Sequence, residues 1–309
     1  MVSNYPLKFL LILLLATLAC GLPTASTPAP IVDSVPTIES TPTVLPALMI
    51  EQIKNAQYPL LVPEDGRVVQ LTDGVYQSNT DTLAVDYAYA MVMQFFALGD
   101  VTGDGLGDAA VMFVENYGGT GQFVVLAIYA NVAGEPLFIT STFIDDRPML
   151  NSISIENGEI FIDAIVHSFE DPGCCPALPT TRKYALVNNQ LRLVHYTSNT
   201  PENKKREIVI TSLIDNAEIT MGSSVQLTGS VSIAPFENSL SYFVYDEAGV
   251  QLLAGAVNVT SPDFGAPGTF NQTIDLSSLP TGVFYLEIED QSAADGAVLA
   301  LESVKIFVK

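Results

Sequence analysis

The sequence predicts an all-β protein, an antiparallel β-meander domain followed by an immunoglobulin-like β-sandwich, and three observations carry this. Short runs rich in Val, Ile, Phe and Tyr recur from Arg67 to Val308, and Gly, Asn, Asp and Pro punctuate them. Only one short stretch, Leu48 to Gln57, has an apolar pattern suited to a helix, of two to three turns ending at Tyr58-Pro59. The last hundred or so residues hold seven alternating runs at regular spacing with no helical period between them. Of 309 residues, 48% are apolar, so 34 acidic against 12 basic residues belong to surfaces and loops of a folded chain. The net charge of −22 repels phosphate backbones and anionic head groups, which excludes nucleic acid as a partner and electrostatic attachment to a membrane.

Residues 1–19 form a signal segment. Lys8 is its only charge, and the apolar run Phe9 to Ala19 is too short for a bilayer span but has the length of a signal core. It ends at Ala19-Cys20-Gly21, which resembles the lipobox of bacterial lipoproteins, although Thr17 holds the place where that family prefers leucine. The resemblance implies acylation of Cys20 and an extracytoplasmic protein held at the bacterial membrane by that anchor alone. Acyl chains bury about 0.8 kcal/mol per CH₂, so an acidic surface is no obstacle. Residues 20–47, with prolines at 23, 28, 30, 36, 42 and 46, read as an extended linker.

The first β domain is expected over 48–197. Its runs, from Arg67–Leu71 through Asp86–Leu98, Ala109–Glu115, Phe123–Asn131, Leu137–Ile144, Ser152–Ile155, Ile160–His167 and Lys183–Val187 to Leu191–Tyr196, are joined by turns such as Gly118-Gly119, Asn157-Gly158 and Asn188-Asn189. Between two of these strands lies Gly99-Asp-Val-Thr-Gly-Asp-Gly-Leu-Gly-Asp108. Carboxylates at Asp100, Asp104 and Asp108 on a glycine-rich loop converge, and converging carboxylates need a hard cation or hydrogen-bond donors. The pattern resembles the calcium loop of FG-GAP and related repeats. That resemblance implies a structural Ca²⁺ site using Asp100, Thr102, Asp104, the Leu106 carbonyl and Asp108. Val111 at the twelfth place excludes an EF-hand, and a single copy does not imply a propeller. An Asp-Gly turn satisfied by backbone amides is the alternative.

Cys174 and Cys175 sit together in Asp171-Pro-Gly-Cys-Cys-Pro176 and have only each other as partners in an exported protein, as a vicinal disulfide or as two thiols. With His167 upstream they constitute a candidate metal or redox site that falls short of a defined ligand pattern. His167 and His195 end apparent strands and read as structural. Residues 198–205, polar and followed by Arg206, read as a linker between domains.

For 206–309 the runs are Ile208–Leu213, Ser224–Ser232, Leu240–Tyr245, Val250–Val259, Gly268–Leu276, Val283–Glu289 and Val298–Val308. Packing of Val225, Leu227, Phe243, Tyr245, Phe270, Tyr285 and Leu286 is expected to hold the sheets without a disulfide. The segments Val225-Gln-Leu-Thr-Gly-Ser-Val231, Phe236-Glu237, Val244-Tyr-Asp-Glu-Ala-Gly249, Gly268-Thr-Phe270 and Ser292-Ala-Ala-Asp-Gly296 resemble, in order, the immunoglobulin-like domain of bacterial spore germination. That resemblance implies an extracytoplasmic module without catalytic residues. No Gly-x-Ser-x-Gly elbow, His-Glu-x-x-His helix or phosphate-cradling loop is present. The expected function is therefore a binding or scaffolding protein acting on an envelope protein or cell-wall ligand. A metal- or redox-handling protein and an envelope hydrolase are the alternatives, and no catalytic residue is named.

Overall fold

The computed structural model describes residues 47–62 and 66–309. The expected signal segment, Cys20 and the linker up to residue 46 lie outside the described residues.

The helix is one turn, α1 (Ile50–Ile53), started by Gln52 Oε1 accepting the Met49 N–H at 2.8 Å. It is shorter than its apolar pattern suggests because Gln57–Pro59 leaves as strand β1 and pairs antiparallel with β2 (Val68–Gln70). A five-stranded antiparallel sheet follows in chain order: β3 (Val75–Gln77), β4 (Tyr89–Gly99), β5 (Asp108–Asn116), β6 (Phe123–Val132) and β7 (Glu135–Asp146). The chain then starts a second meander of β8 (Met149–Glu156), β9 (Glu159–Val166), β10 (Leu178–Val187) and β11 (Gln190–Asn199). Two of its hairpins close through residues with positive φ, Asn157-Gly158 and Asn188-Asn189, as primed turns require.

The expected meander is thus folded over into two sheets with an apolar layer between them. Met112, Leu126 and Ile128 of the first sheet meet Ile160, Ile162 and Val166 of the second. The opposite face of β5 and β6 is covered as well, with Val111, Phe113, Val125 and Tyr129 packed under Leu48, Ile53, Tyr58 and Leu71. Tyr58 stacks on Phe113 with ring centroids 4.0 Å apart. Burial on both faces explains why these two strands read as nearly continuous apolar runs rather than alternating ones.

The C-terminal strands are β12 (Lys205–Arg206), β13 (Ile208–Ile210), β14 (Ala217–Ile219), β15 (Ser224–Val231), β16 (Ser239–Asp246), β17 (Gln251–Thr260), β18 (Gly268–Asp275), β19 (Gly282–Gln291) and β20 (Val298–Val308). Two layers form a sandwich, β13-β15-β18 over β17-β16-β19-β20, and β17 touches β18 only through Val259 and Thr260. The core between them contains Leu227, Phe270 and Ile274 facing Val244, Leu286, Ile288 and Ile306. Phe243, Tyr245 and Tyr285, expected in this core, are outside it, because strand alternation turns Val244 and Leu286 inward and these three outward.

The polar stretch expected to separate the domains is not a free tether. β11 runs on to Asn199, the chain turns, and β12 returns to pair with Ser198 and Asn199. β11 also pairs antiparallel with β20, His195 opposite Glu302, Tyr196 opposite Leu301 and Thr197 opposite Ala300. One hydrogen-bonded sheet therefore crosses from the first domain into the sandwich.

Candidate functional site

Four groups of polar residues stand out, two of them expected from the sequence, and the fold treats each differently. In the Asp/Gly loop each carboxylate accepts backbone N–H groups. Asp100 Oδ1 accepts from Gly103 and Asp104 at 2.7 and 3.2 Å, and its Oδ2 from Gly105 at 2.9 Å. Asp104 Oδ1 accepts from Leu106 at 2.8 Å. Gly103 and Gly105 have positive φ, which permits the wrap. Asp108, first residue of β5, is fully buried, and its carboxylate accepts from Val101, Thr102 and Asn131 at 2.8 to 2.9 Å. Asp108 thus ties the loop to the end of β6 from inside, while Asp100 and Asp104 lie nearer solvent. Among the described residues no three His, Cys, Asp or Glu side chains are grouped to hold a metal ion.

At the other end of β5 stands a second fully buried carboxylate, Glu115, which the sequence reading did not single out. It accepts hydrogen bonds from the Tyr58 and Tyr117 hydroxyls, both at 2.5 Å, and from the Leu61 and Val62 N–H groups at 2.9 and 3.0 Å. Burial and the neighbouring Glu115 charge push the Tyr58 hydroxyl well above the usual tyrosine range, so it stays a donor. The network fastens the N-terminal segment onto the sheet.

Cys174 and Cys175 are bonded to one another in an exposed loop, whose ends are held by Asp171 Oδ2 accepting from Ser168 and Ala177. His167 is held by Asp145: its backbone N–H and its Nδ1 both lie within 2.9 Å of Asp145 Oδ2.

The fourth group was not anticipated. Glu287 and Glu289, on the outer face of β19, are buried, and so is Asp290 near the end of the strand. Arg192 of β11 reaches Glu287 at 3.0 Å, and Arg206 of β12 reaches Asp290 at 3.3 Å. The Arg192 guanidinium also lies 4.6 and 4.7 Å from the ring centroids of Tyr245 and Tyr285. His195 Nδ1 is 2.5 Å from Glu302, its partner across the β11–β20 pairing. Burial, aided by Glu289 and opposed by Arg192, pushes the Glu287 carboxyl up to about 8. Burial likewise raises Asp290 against the pull of Arg206. Sequence alternation marks Glu287 and Glu289 as outward-facing, but nothing local shows that another domain covers them.

No curated protein matches the chain. Residues 207–297, from one residue before β13 to one residue before β20, match the family described as the immunoglobulin-like domain of bacterial spore germination, and the two-layer sandwich, which β20 completes, agrees with that description.

Proposed function

We propose that this protein is a lipid-anchored extracytoplasmic binding or scaffolding protein that presents an immunoglobulin-like module to an envelope protein or cell-wall ligand. The observation that carries this reading is the match of 207–297 to an immunoglobulin-like family, a fold class whose sheets and loops serve as interaction surfaces. The anchor follows from Lys8, the apolar run and Ala19-Cys20-Gly21. The polar groups of the first domain support a structural role there, since the carboxylates at both ends of β5 are taken up by backbone and tyrosine donors. Calcium belongs to this reading as a structural ion on the solvent side of the loop, at Asp100, Thr102, Asp104 and the Leu106 carbonyl, added to a turn that amides already hold, while Asp108, expected among its ligands, is taken up inside by three amides. Cys174 and Cys175 are bonded to one another and His167 is engaged by Asp145, which favours a loop staple over metal handling.

Cys20→Ala tests the anchor. The variant is expected to leave the membrane fraction or to accumulate unprocessed, whereas unchanged membrane partition with normal maturation would overturn the lipid-anchored reading. Cross-linking of the wild-type protein in native envelopes, compared with Cys20→Ala, is expected to yield a partner adduct that depends on anchoring.

A further inference from the structure

We propose that β17 is a self-pairing edge: two copies of the chain join their immunoglobulin-like domains by antiparallel addition of β17 to β17 across a two-fold axis at Gly255. This goes beyond the binding role and does not rest on the lipid anchor.

A sheet edge invites another strand unless it is short, charged, bulged or broken by proline. Most edges among the described residues are blunted in one of these ways. β3 and β13 have three residues each. β7 opens with Glu135-Pro136 and closes with Asp145-Asp146, and β8 carries a bulge between Leu150 and Ser152 and ends at Glu156. β17 has none of these protections where it is open. It pairs with β16 on one side, in regular register from Leu253 to Asn258, whereas on its other side β18 meets only Val259 and Thr260. The stretch Gln251-Leu-Leu-Ala-Gly-Ala-Val-Asn258 contains no charge and no proline, and the nearest charged residues along the chain are Glu247 and Asp263. Alternate backbone N–H and C=O groups of this stretch point away from β16, toward the open edge.

The side chains fit a second copy of the same strand. Antiparallel strands related by a two-fold axis perpendicular to the sheet keep the same face up, so a copy centred on Gly255 sets Leu253 opposite Val257 and Ala254 opposite Ala256. Val257 is buried in the sandwich core and Leu253 is partly packed against it, so apolar meets apolar on the inner face. Ala254 and Ala256 are exposed, so small meets small on the outer face. Tyr242 of β16 stands opposite Gly255, and a Cβ on that glycine would lie 2.5 Å from Tyr242 Cε1 and 2.9 Å from its hydroxyl. The end of the ring therefore lies over Gly255, and the two-fold brings the Tyr242 rings of both copies toward one another above a pair of glycines. Charge favours the same place. Copies that each carry −22 repel, least along an uncharged strip, and salt screens what repulsion remains. Five residues a side make a small interface, so the dimer is weak and concentration-dependent.

Sedimentation equilibrium of the full chain over a series of protein and salt concentrations tests the pairing. The wild type is expected to shift toward dimer as both rise. Ala254→Glu, which sets like charges across the axis, is expected to raise the dimer Kd about tenfold or more. Thr269→Glu, on an exposed position of the paired strand β18, adds the same charge and is expected to stay near the wild type. A wild type that remains monomeric throughout overturns the proposal, as does equal weakening by the two substitutions. Cysteine cross-linking then reads the register. Directly opposite residues lie about 5 Å apart and diagonal ones about 7–8 Å, so a disulfide favours the opposite pair. Full-length Ala254→Cys and Ala256→Cys chains are mixed, treated with a mild oxidant, and their joined peptides are identified by mass spectrometry against wild type. Mixed 254–256 adducts are expected to form at least about fivefold faster than either like pair. No adduct above the wild-type background, or equal rates for mixed and like pairs, overturns the pairing at Gly255.

Discussion

Carboxylates gather at two places in this chain, the loop from Gly99 to Asp108 and the outer face of β19, and the two groups are neutralised by different means. In the loop the donors are backbone N–H groups, most from within the same ten residues. On β19 the donors are side chains, Arg192 of β11 for Glu287 and Arg206 of β12 for Asp290. A carboxylate satisfied by its own loop fixes local shape whatever the rest of the chain does. A buried carboxylate satisfied from a distant strand makes two domains depend on each other, and its protonation state becomes a property of their contact.

The largest effect expected from breaking this contrast is at Asp108. Asp108→Ala leaves the N–H groups of Val101, Thr102 and Asn131 without their acceptor at a fully buried position, and should cost about 3–4 kcal/mol in urea unfolding. Asp100→Ala exposes its amides to water instead and should cost under about 1 kcal/mol. Equal costs would remove the distinction between the inner and outer aspartates. The smallest effect is calcium. Near ~1 mM ion and with an affinity near ~0.1 mM, binding adds about 1.4 kcal/mol, a shift of a few degrees in Tm that Asp104→Asn should abolish. Identical melts in calcium and in chelator would leave the amide-held turn as the whole account of the loop.

Much of the fold was legible because strand signals are local. Alternation located the sandwich strands, Asn157-Gly158 located a hairpin, and the unbroken apolar runs of β5 and β6 carried the sign of burial on both faces. Three strands of three residues, β1, β3 and β14, were too short for a period to show. The spacing of Asp100, Asp104 and Asp108 suggested convergence, yet Asp108 opens β5, and the phase of that strand turns its side chain into the interior. The domain contact was least legible. Arg192 and Glu287 are 95 residues apart, and each alone reads as an ordinary surface charge. Tyr245 and Tyr285 were assigned to the core because aromatic residues in strands usually are, and only the inward phase of Val244 and Leu286 excludes them. A strand whose outward positions read Tyr285, Glu287 and Glu289 is compatible with solvent or with a partner, and the choice depends on β11, nearly a hundred residues earlier.

The central claim, that the immunoglobulin-like domain is held by Arg192 and Glu287 acting as a pair, is tested most directly by a double-mutant cycle of Arg192→Ala and Glu287→Ala in the full chain, read on the unfolding transition of the C-terminal domain. The structure predicts a coupling of about 2 kcal/mol or more, because either single change leaves a buried partner uncompensated. Single costs that add to within about 0.5 kcal/mol would show that the two side chains act independently and would contradict the coupling of the domains through this contact.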